Sequence, residues 1–333
     1  MLVVVGVSAV VFLAMRLSGD PTLLMLPPEA TEADRVRFQH ELGLDRPLYV
    51  QYAVFLQKAI RGDFGRSLRY RQPAFPLILE RLPATLELSA AAMFVSLVVA
   101  IPAGVLAGIR RNSAYDALSM LGALFGQSMP VFWLGIMLIL VFSVHLGLFP
   151  TSGRDGLRHL VLPAITLGLY STARVTRLVR SGMLEVLGQE YIRTAWAKGL
   201  AARRVILKHA LMNTLIPVVT IVGMELGTLL GGAVITETIF AWPGVGRLVV
   251  TAIFQRDYPV VQAAVMIMAL LFVFFNFLVD LLYGYLDPPI RYQRWVAGRC
   301  PPRFRKLQAS PSPSGRDGRG CGSCSRTVSA SSG

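Results

Sequence analysis

Of the 333 residues, 54% are hydrophobic and 16% charged, and the mean hydropathy is +0.55. A soluble domain carries about 25% charged residues, so an apolar excess in runs of about 20 residues reads as several membrane helices. This excludes soluble-enzyme, fibrous and disulfide-scaffold classes. The net charge is +14, and the three Cys all fall within the last 34 residues, so no disulfide framework is implied.

In chain order, six apolar segments are predicted to span: residues 1–15, 84–109, 117–144, 160–179, 211–235 and 259–286. The first has 15 residues before Arg16, which suggests that part of its helix is missing. A signal peptide would need a basic start and a small-x-small cleavage site, and neither is present. Between the first two spans, residues 17–83 carry nearly balanced charge, with amphipathic pieces at 35–42 and 49–60 that predict a small packed lid. From residue 301 the composition turns to Ser, Gly, Pro and Arg, too polar to order itself. Cys321 and Cys324 form a lone CxxC there, read as incidental. The expected organisation is a first helix at 1–16, an extracytoplasmic lid at 17–83, a five-helix core at 84–290 containing a cytoplasmic loop at 183–208, and a basic tail at 291–333.

Lys and Arg collect in alternate loops. The loops at 110–116 and 174–208 and the tail together carry net +15; the other three carry net +2. By the positive-inside rule both termini face the cytoplasm, and the basic balance needs no nucleic-acid partner.

The loop at 183–208 places apolar or small residues at 184, 187, 191 and 195, one face of a helix, with Gly199 as its C-terminal stop. Such a helix suits either lipid headgroups or a groove on another protein, and spacing alone does not choose between them. None of the four Lys sits in GxxxxGK[ST], so the chain is not expected to hydrolyse ATP by itself. HExxH and GxSxG are also absent, and the four His have no metal-ligand spacing. No catalytic or metal-binding residue is therefore predicted.

Ionisable groups within the spans are few: Glu87, Glu225 and Asp280. Glu225, in mid-span, is equally a pathway group and a helix-interface hydrogen bond. That scarcity weighs against an ion-coupled carrier. Gly223, Gly227 and Gly231 form a small-residue stripe that predicts a tight helix contact. Pro102, Pro130, Pro163 and Pro217 lie in or beside spans, where each removes an N–H and favours a kink.

Several blocks resemble one family: the permease subunits of bacterial ABC importers of the dipeptide, oligopeptide and nickel type. The most specific is Tyr191-Ile192-Arg193-Thr194-Ala195-Trp196-Ala197-Lys198-Gly199-Leu200, which is similar to that family's EAA loop. Arg193 stands where the general pattern has Glu, and Leu211-Met212 where it has Leu-Pro. Further blocks are Gly62-Asp63-Phe64-Gly65-Arg66-Ser67, Arg81-Leu82-Pro83-Ala84-Thr85-Leu86-Glu87-Leu88, Glu237-Thr238-Ile239-Phe240-Ala241-Trp242-Pro243-Gly244-Val245-Gly246, Arg256-Asp257-Tyr258-Pro259 and Asp287-Pro288.

The resemblance implies an all-α, roughly six-helix type I importer fold in the bacterial inner membrane. It implies that Glu190, Tyr191, Arg193, Thr194, Ala195, Lys198, Gly199 and Leu200 couple to an ATPase. Gly223, Glu225, Gly227 and Gly231 would line or pack the pathway. Glu237, Trp242, Pro243, Gly244, Gly246, Asp257, Tyr258 and Pro259 would form outer loops. Implied partners are a second homologous permease, two cytoplasmic ATPase subunits that bind ATP and Mg, an extracytoplasmic solute-binding protein, and the bilayer. The competing readings are an autonomous ion-coupled carrier or channel, and a membrane enzyme whose catalytic pair is not found.

Overall fold

Proline and helix-stop residues set the element boundaries. The computed structural model describes residues 2–17, 31, 40 and 45–286, and all named elements among them are helical. They are α1 (Leu2–Leu17), α2 (Leu48–Ile60), α3 (Ala74–Ile109), α4 (Ala114–Ser128), α5 (Val131–His145), α6 (Leu157–Leu187), α7 (Glu190–Ala197), α8 (Ala202–Ile239), α9 (Val245–Phe254) and α10 (Tyr258–Leu286). Pro47, Pro73 and Pro130 stand directly before α2, α3 and α5; a proline there costs no helical hydrogen bond. Ser113 caps α4, its hydroxyl accepting from the Asp116 N–H.

Four helices end in one geometry. After α2, α7, α8 and α9 the chain enters the left-handed region at Gly62 (φ 74°), Gly199 (φ 71°), Ala241 (φ 49°) and Arg256 (φ 54°). The next N–H then reaches back to the helix: Asp63 to Lys58 O, Leu200 to Ala195 O, Trp242 to Glu237 O, and Asp257 to Ala252 O. This is the Schellman arrangement, which satisfies carbonyls the helix would otherwise leave bare. The two non-glycine examples accept a steric cost of about 1 kcal/mol each.

Three described helices are long and apolar enough to cross a membrane: α3, α8 and residues 258–281 of α10. The stretch expected as one span at 117–144 is instead two helices, α4 and α5, bent by 104°. The cause is Pro130: it lacks an N–H and drives Met129 to extended backbone (ψ 129°). α3 begins at Ala74, ten residues ahead of the expected 84, so its first turns absorb the end of the region read as a lid. α6 extends well past the expected 160–179 and carries four Arg. Wrapped by α3, α4, α5 and α8, its side chains meet protein more than lipid, which relaxes the need for an apolar surface. α1 has 16 residues.

α3 and α6 form the central pair. A Cβ at Gly104 would lie 2.7 Å from Val179 Cβ, one at Gly108 2.6 Å from Met183 Cβ, and one at Gly168 2.5 Å from Ala92 O. Only glycine permits backbones this close. Three apolar cores follow along the bundle. One joins the start of α3 to α9 and α10, around Ile78, Val245 and Val260. The second lies mid-bundle, around Leu88, Leu229 and Trp242. The third joins the end of α3 to α6, α7 and α8, around Val179, Met183, Ile192 and Val205. Part of the expected lid packs: Phe12, Phe55, Phe64 and Phe75 form a continuous ring ladder from α1 through α2 to α3. Of the amphipathic piece expected at 35–42 only residue 40 is among the described residues, and residues 287–290, with the Asp287-Pro288 block, and the tail at 291–333 lie outside them.

Candidate functional site

The helix expected from residue 184 onward is broken. α6 runs on to Leu187, Gly188 and Gln189 turn the chain, and α7 occupies Glu190–Ala197. Leu184 and Leu187 therefore belong to α6. The buried face of α7 is Ile192 with Ala195, not Tyr191, because the turn at Gly188 resets the helical phase. Ile192 and Ala195 enter the core shared with Met183 and Val205. Glu190, Tyr191, Arg193, Thr194, Trp196, Lys198 and Gly199 are exposed, and Leu200 is half-buried. Two large aromatic rings, Tyr191 (42% exposed) and Trp196 (46%), stand on that surface. The Tyr191 hydroxyl accepts from Asn213 Nδ2 of α8 at 2.7 Å. A Cβ at Gly199 would meet nothing within 4 Å, so its glycine is required here by φ rather than by crowding within the chain.

Beside this end, α6 and α4 are pinned together. Arg180 makes a two-pronged bond to Asp116, Nε to Oδ1 at 2.5 Å and Nη2 to Oδ2 at 2.8 Å. The Asn112 N–H donates to the same carboxylate.

Midway along the bundle, Glu225 of α8 is 3% exposed and ion-paired to Arg174 Nη1 of α6 at 2.5 Å. Ser171 Oγ and Thr228 Oγ1 donate to its other oxygen at 3.0 and 3.3 Å. The carboxylate is thus fully partnered across a helix interface, while Arg174 remains 43% exposed on the flank. The glycine stripe divides. Gly223 and Gly227 lie against Val279 and Phe272 of α10, whereas a Cβ at Gly231 would meet nothing within 4 Å; Gly231 is not part of that contact.

At the end where α3 begins, half of the eight residues expected in outer loops are helical, Glu237 in the last turns of α8, Gly246 in α9, and Tyr258 and Pro259 in α10, while Trp242, Pro243, Gly244 and Asp257 lie in the connecting turns. The Glu237 side chain is fully buried. It accepts from Thr85 Oγ1 of α3 at 2.6 Å and from the Arg247 N–H at the start of α9 at 3.0 Å. Thr85 Oγ1 in turn accepts the Val245 N–H at 2.8 Å. A carboxylate against the free amides of a helix start is favourable both as hydrogen bonding and against the helix dipole. A Cβ at Gly244 would overlap the Glu237 carboxylate, and one at Gly246 would lie 2.6 Å from Val234 Cα. Trp242, also fully buried, donates from Nε1 to Ala84 O at 2.8 Å.

A second buried carboxylate, Asp257, ties the turn at 65–73 to the start of α10. Ser67 Oγ donates to it, as do the N–H groups of Leu68 and Arg69 at 3.2 and 3.3 Å. Glu87 pairs with Arg154 Nε at 2.9 Å, and the Arg154 guanidinium lies 5.8 Å from the Trp242 ring. Sequence reasoning did not find Thr85, Ser67, Arg154, Arg174 or Arg180. The signal for the first two was their place in the blocks Gly62–Ser67 and Arg81–Leu88; for the three Arg there was none, since their partners Glu87, Glu225 and Asp116 lie more than 50 residues away. No cluster of His, Cys, Asp and Glu able to hold a metal occurs among the described residues.

The family described as binding-protein-dependent transport system inner membrane component matches residues 100–292. The dipeptide transport system permease protein of Escherichia coli K12 is 42% identical over 323 residues, covering 87% of this chain and 95% of that protein. The oligopeptide transport system permease protein of Bacillus subtilis 168 is 43% identical over 302 residues, covering 87% and 96%. The glutathione transport system permease protein of E. coli K12 is 43% identical over 288 residues, covering 86% and 94%. Among solved structures, the MetNI methionine ABC transporter in inward-facing conformations aligns with a TM-score of 0.56 at 20% identity, over 63% of this chain and 96% of that one. At that identity the likeness is one of fold.

Proposed function

The chain belongs to the binding-protein-dependent transport system inner membrane components, and from that membership we propose that it forms half of a peptide pathway driven by ATPases bound at α7. It is a multi-pass membrane protein and a permease subunit of a peptide ABC importer. The finer reading is that α7 is the coupling helix, facing the cytoplasm and seated in a cleft of a separate ATPase. The observation that carries it is the division of α7 into two faces. Ile192 and Ala195 are anchored in a core with α3, α6 and α8, while Tyr191, Arg193, Thr194, Trp196 and Lys198 are presented outward. A displacement of the outward face is delivered to the long helices through well-packed side chains, which transmit strain rather than absorb it.

In this reading a second homologous permease completes the pathway, two ATPase subunits hold ATP and Mg, and an extracytoplasmic binding protein delivers the peptide. ATP binding closes the ATPases and draws the two α7 helices together, which exchanges one opening of the pathway for the other. Both termini then lie on the cytoplasmic side of the bacterial inner membrane. α1, α3, the bent α4–α5 pair, α6, α8 and α10 supply six crossings, and the Glu237 and Asp257 clusters face outward.

The test is co-purification from mild-detergent membranes with the neighbouring genes expressed together. An ATPase and a second permease are expected to accompany the chain. Gly199→Trp should release the ATPase while leaving the permease pair intact, because the site is open and the new ring projects from α7. A folded chain that purifies alone would overturn the importer reading in favour of an autonomous carrier; an ATPase retained by Gly199→Trp would overturn the role of α7.

A further inference from the structure

Between the turn at 65–73, the first turns of α3 and the start of α9 lies a cavity of about 240 Å³. Tyr70, Arg81, Gly244, Arg247, Leu248 and Thr251 line it. Its polar character is lopsided. Arg81 and Arg247 both border it, and neither forms an ion pair with any described residue. Arg81 Nε is shut off from solvent and has no hydrogen-bond partner. The Arg247 side chain donates from Nη1 to Ala241 O at 2.6 Å, which leaves its other donors unspent.

Among the described residues, neither of the two buried acids at this end of the molecule is ion-paired with them. Glu237 is bound to Thr85 and to the Arg247 N–H, and Asp257 to Ser67 and two backbone amides. Arg66, Arg69 and Arg71 stand exposed on the adjoining turn, and with exposed Asp63 and Glu80 counted against them the stretch 61–81 still carries a positive balance. Arg81 Nε is out of reach of anything in the cavity, so what the cavity offers an occupant is the charge of the two guanidinium groups that border it. A guanidinium's matching acceptor is a carboxylate, bound by two parallel N–H donors.

We propose that this cavity is a carboxylate-binding site, with Arg81 and Arg247 as its cationic walls and the Tyr70 hydroxyl at its rim. The incoming carboxylate has two possible sources of the same chemistry: an acidic side chain on the docked solute-binding protein, or the C-terminal carboxylate of a peptide. The assignment rests on the importer reading, which places this end outside the cell.

The experiment uses the complete transporter in lipid nanodiscs, with Arg81→Gln/Arg247→Gln and, separately, Thr251→Glu, which would set a carboxylate in the cavity from within. Three quantities are read: affinity for the binding protein, uptake of a dipeptide, and uptake of the same dipeptide as its C-terminal amide. If the carboxylate comes from the binding protein, both variants weaken docking about tenfold or more, and the wild-type affinity falls steeply with salt. If it comes from the peptide, docking is unchanged, uptake of the free acid falls about tenfold, and uptake of the amide is unaffected. Either result supports the site. Unchanged docking together with equal uptake of acid and amide in both variants overturns it. A double arginine variant that fails to assemble leaves the decision to Thr251→Glu, which removes no existing charge. Failure of the wild-type chain to assemble with its ATPase is a different result, and overturns the importer reading instead.

Discussion

The buried Glu237 carboxylate joins three helices, and its replacement gives a graded outcome. Glu237→Ala strips the acceptor from Thr85 Oγ1 and from the Arg247 N–H and leaves a void beside Gly244. Two orphaned buried donors at about 1–2 kcal/mol each, with a void on the order of 1 kcal/mol, give a loss of about 4 kcal/mol. Glu237→Gln keeps the volume and one oxygen. If that oxygen faces the Arg247 N–H, the new NH2 meets Thr85 Oγ1. Thr85 already accepts from Val245 N, and its own hydrogen then has nowhere to go. One bond is lost, at about 1.5–2 kcal/mol. Thermal unfolding of the full chain in nanodiscs, followed by tryptophan fluorescence, should show the Ala variant roughly 10 °C below wild type and the Gln variant roughly halfway between, at about 2–4 °C per kcal/mol for a chain of this size. Equal losses for Gln and Ala, or a loss under about 3 °C for Ala, would refute the reasoning, because the carboxylate would then not be the junction of α3, α8 and α9.

Gly223→Ala should cost about 1–3 kcal/mol by forcing α8 from Val279 of α10, while Gly231→Ala, in open space, should be neutral or slightly stabilising; the same melt separates them. Arg174→Ala removes the cation from a carboxylate that is 3% exposed and should cost about 3 kcal/mol, of which more than half returns in Arg174→Ala/Glu225→Gln; a double variant no better than the single would show that the pair does not neutralise Glu225. Gly199→Ala should cost about 1 kcal/mol from its positive φ and keep the fold, as checked by melting and by recovery from the membrane; a collapse of expression would contradict the open space found around that residue.

Much of the helix inventory was legible because a membrane helix writes its length as hydropathy: α8 and α10 contain the expected runs. Gly199 was readable as a helix stop, since its neighbours supply a local pattern. The bend at Pro130 was not, because apolar residues continue on both sides of it and hydropathy does not report direction. α3 was placed ten residues late because Glu80 and Arg81 interrupt the apolar run, and charges at a helix end look like loop from sequence alone. The inward face of α7 was misread because the phase was carried from α6 across Gly188. The α3–α6 crossing left a trace in Gly104 and Gly108, four residues apart, but the stripe in α8 drew the weight. The partners of Glu225 and Glu87 left none, since an ion pair between distant segments imposes no spacing on the intervening chain.

The contact between Ser67 and Asp257 joins residues 190 positions apart. A ribosome adds about 5–20 residues per second, so the turn at 65–73 waits roughly 10–40 s after its own synthesis for the carboxylate that will hold it. Until then the Leu68 and Arg69 amides have only water. The Glu237 junction likewise closes only once the start of α9 has been made. This end of the molecule therefore acquires its rigidity late, after most of the membrane helices have been made, and a chain that stops short of Asp257 would carry those earlier segments yet leave that face unlatched.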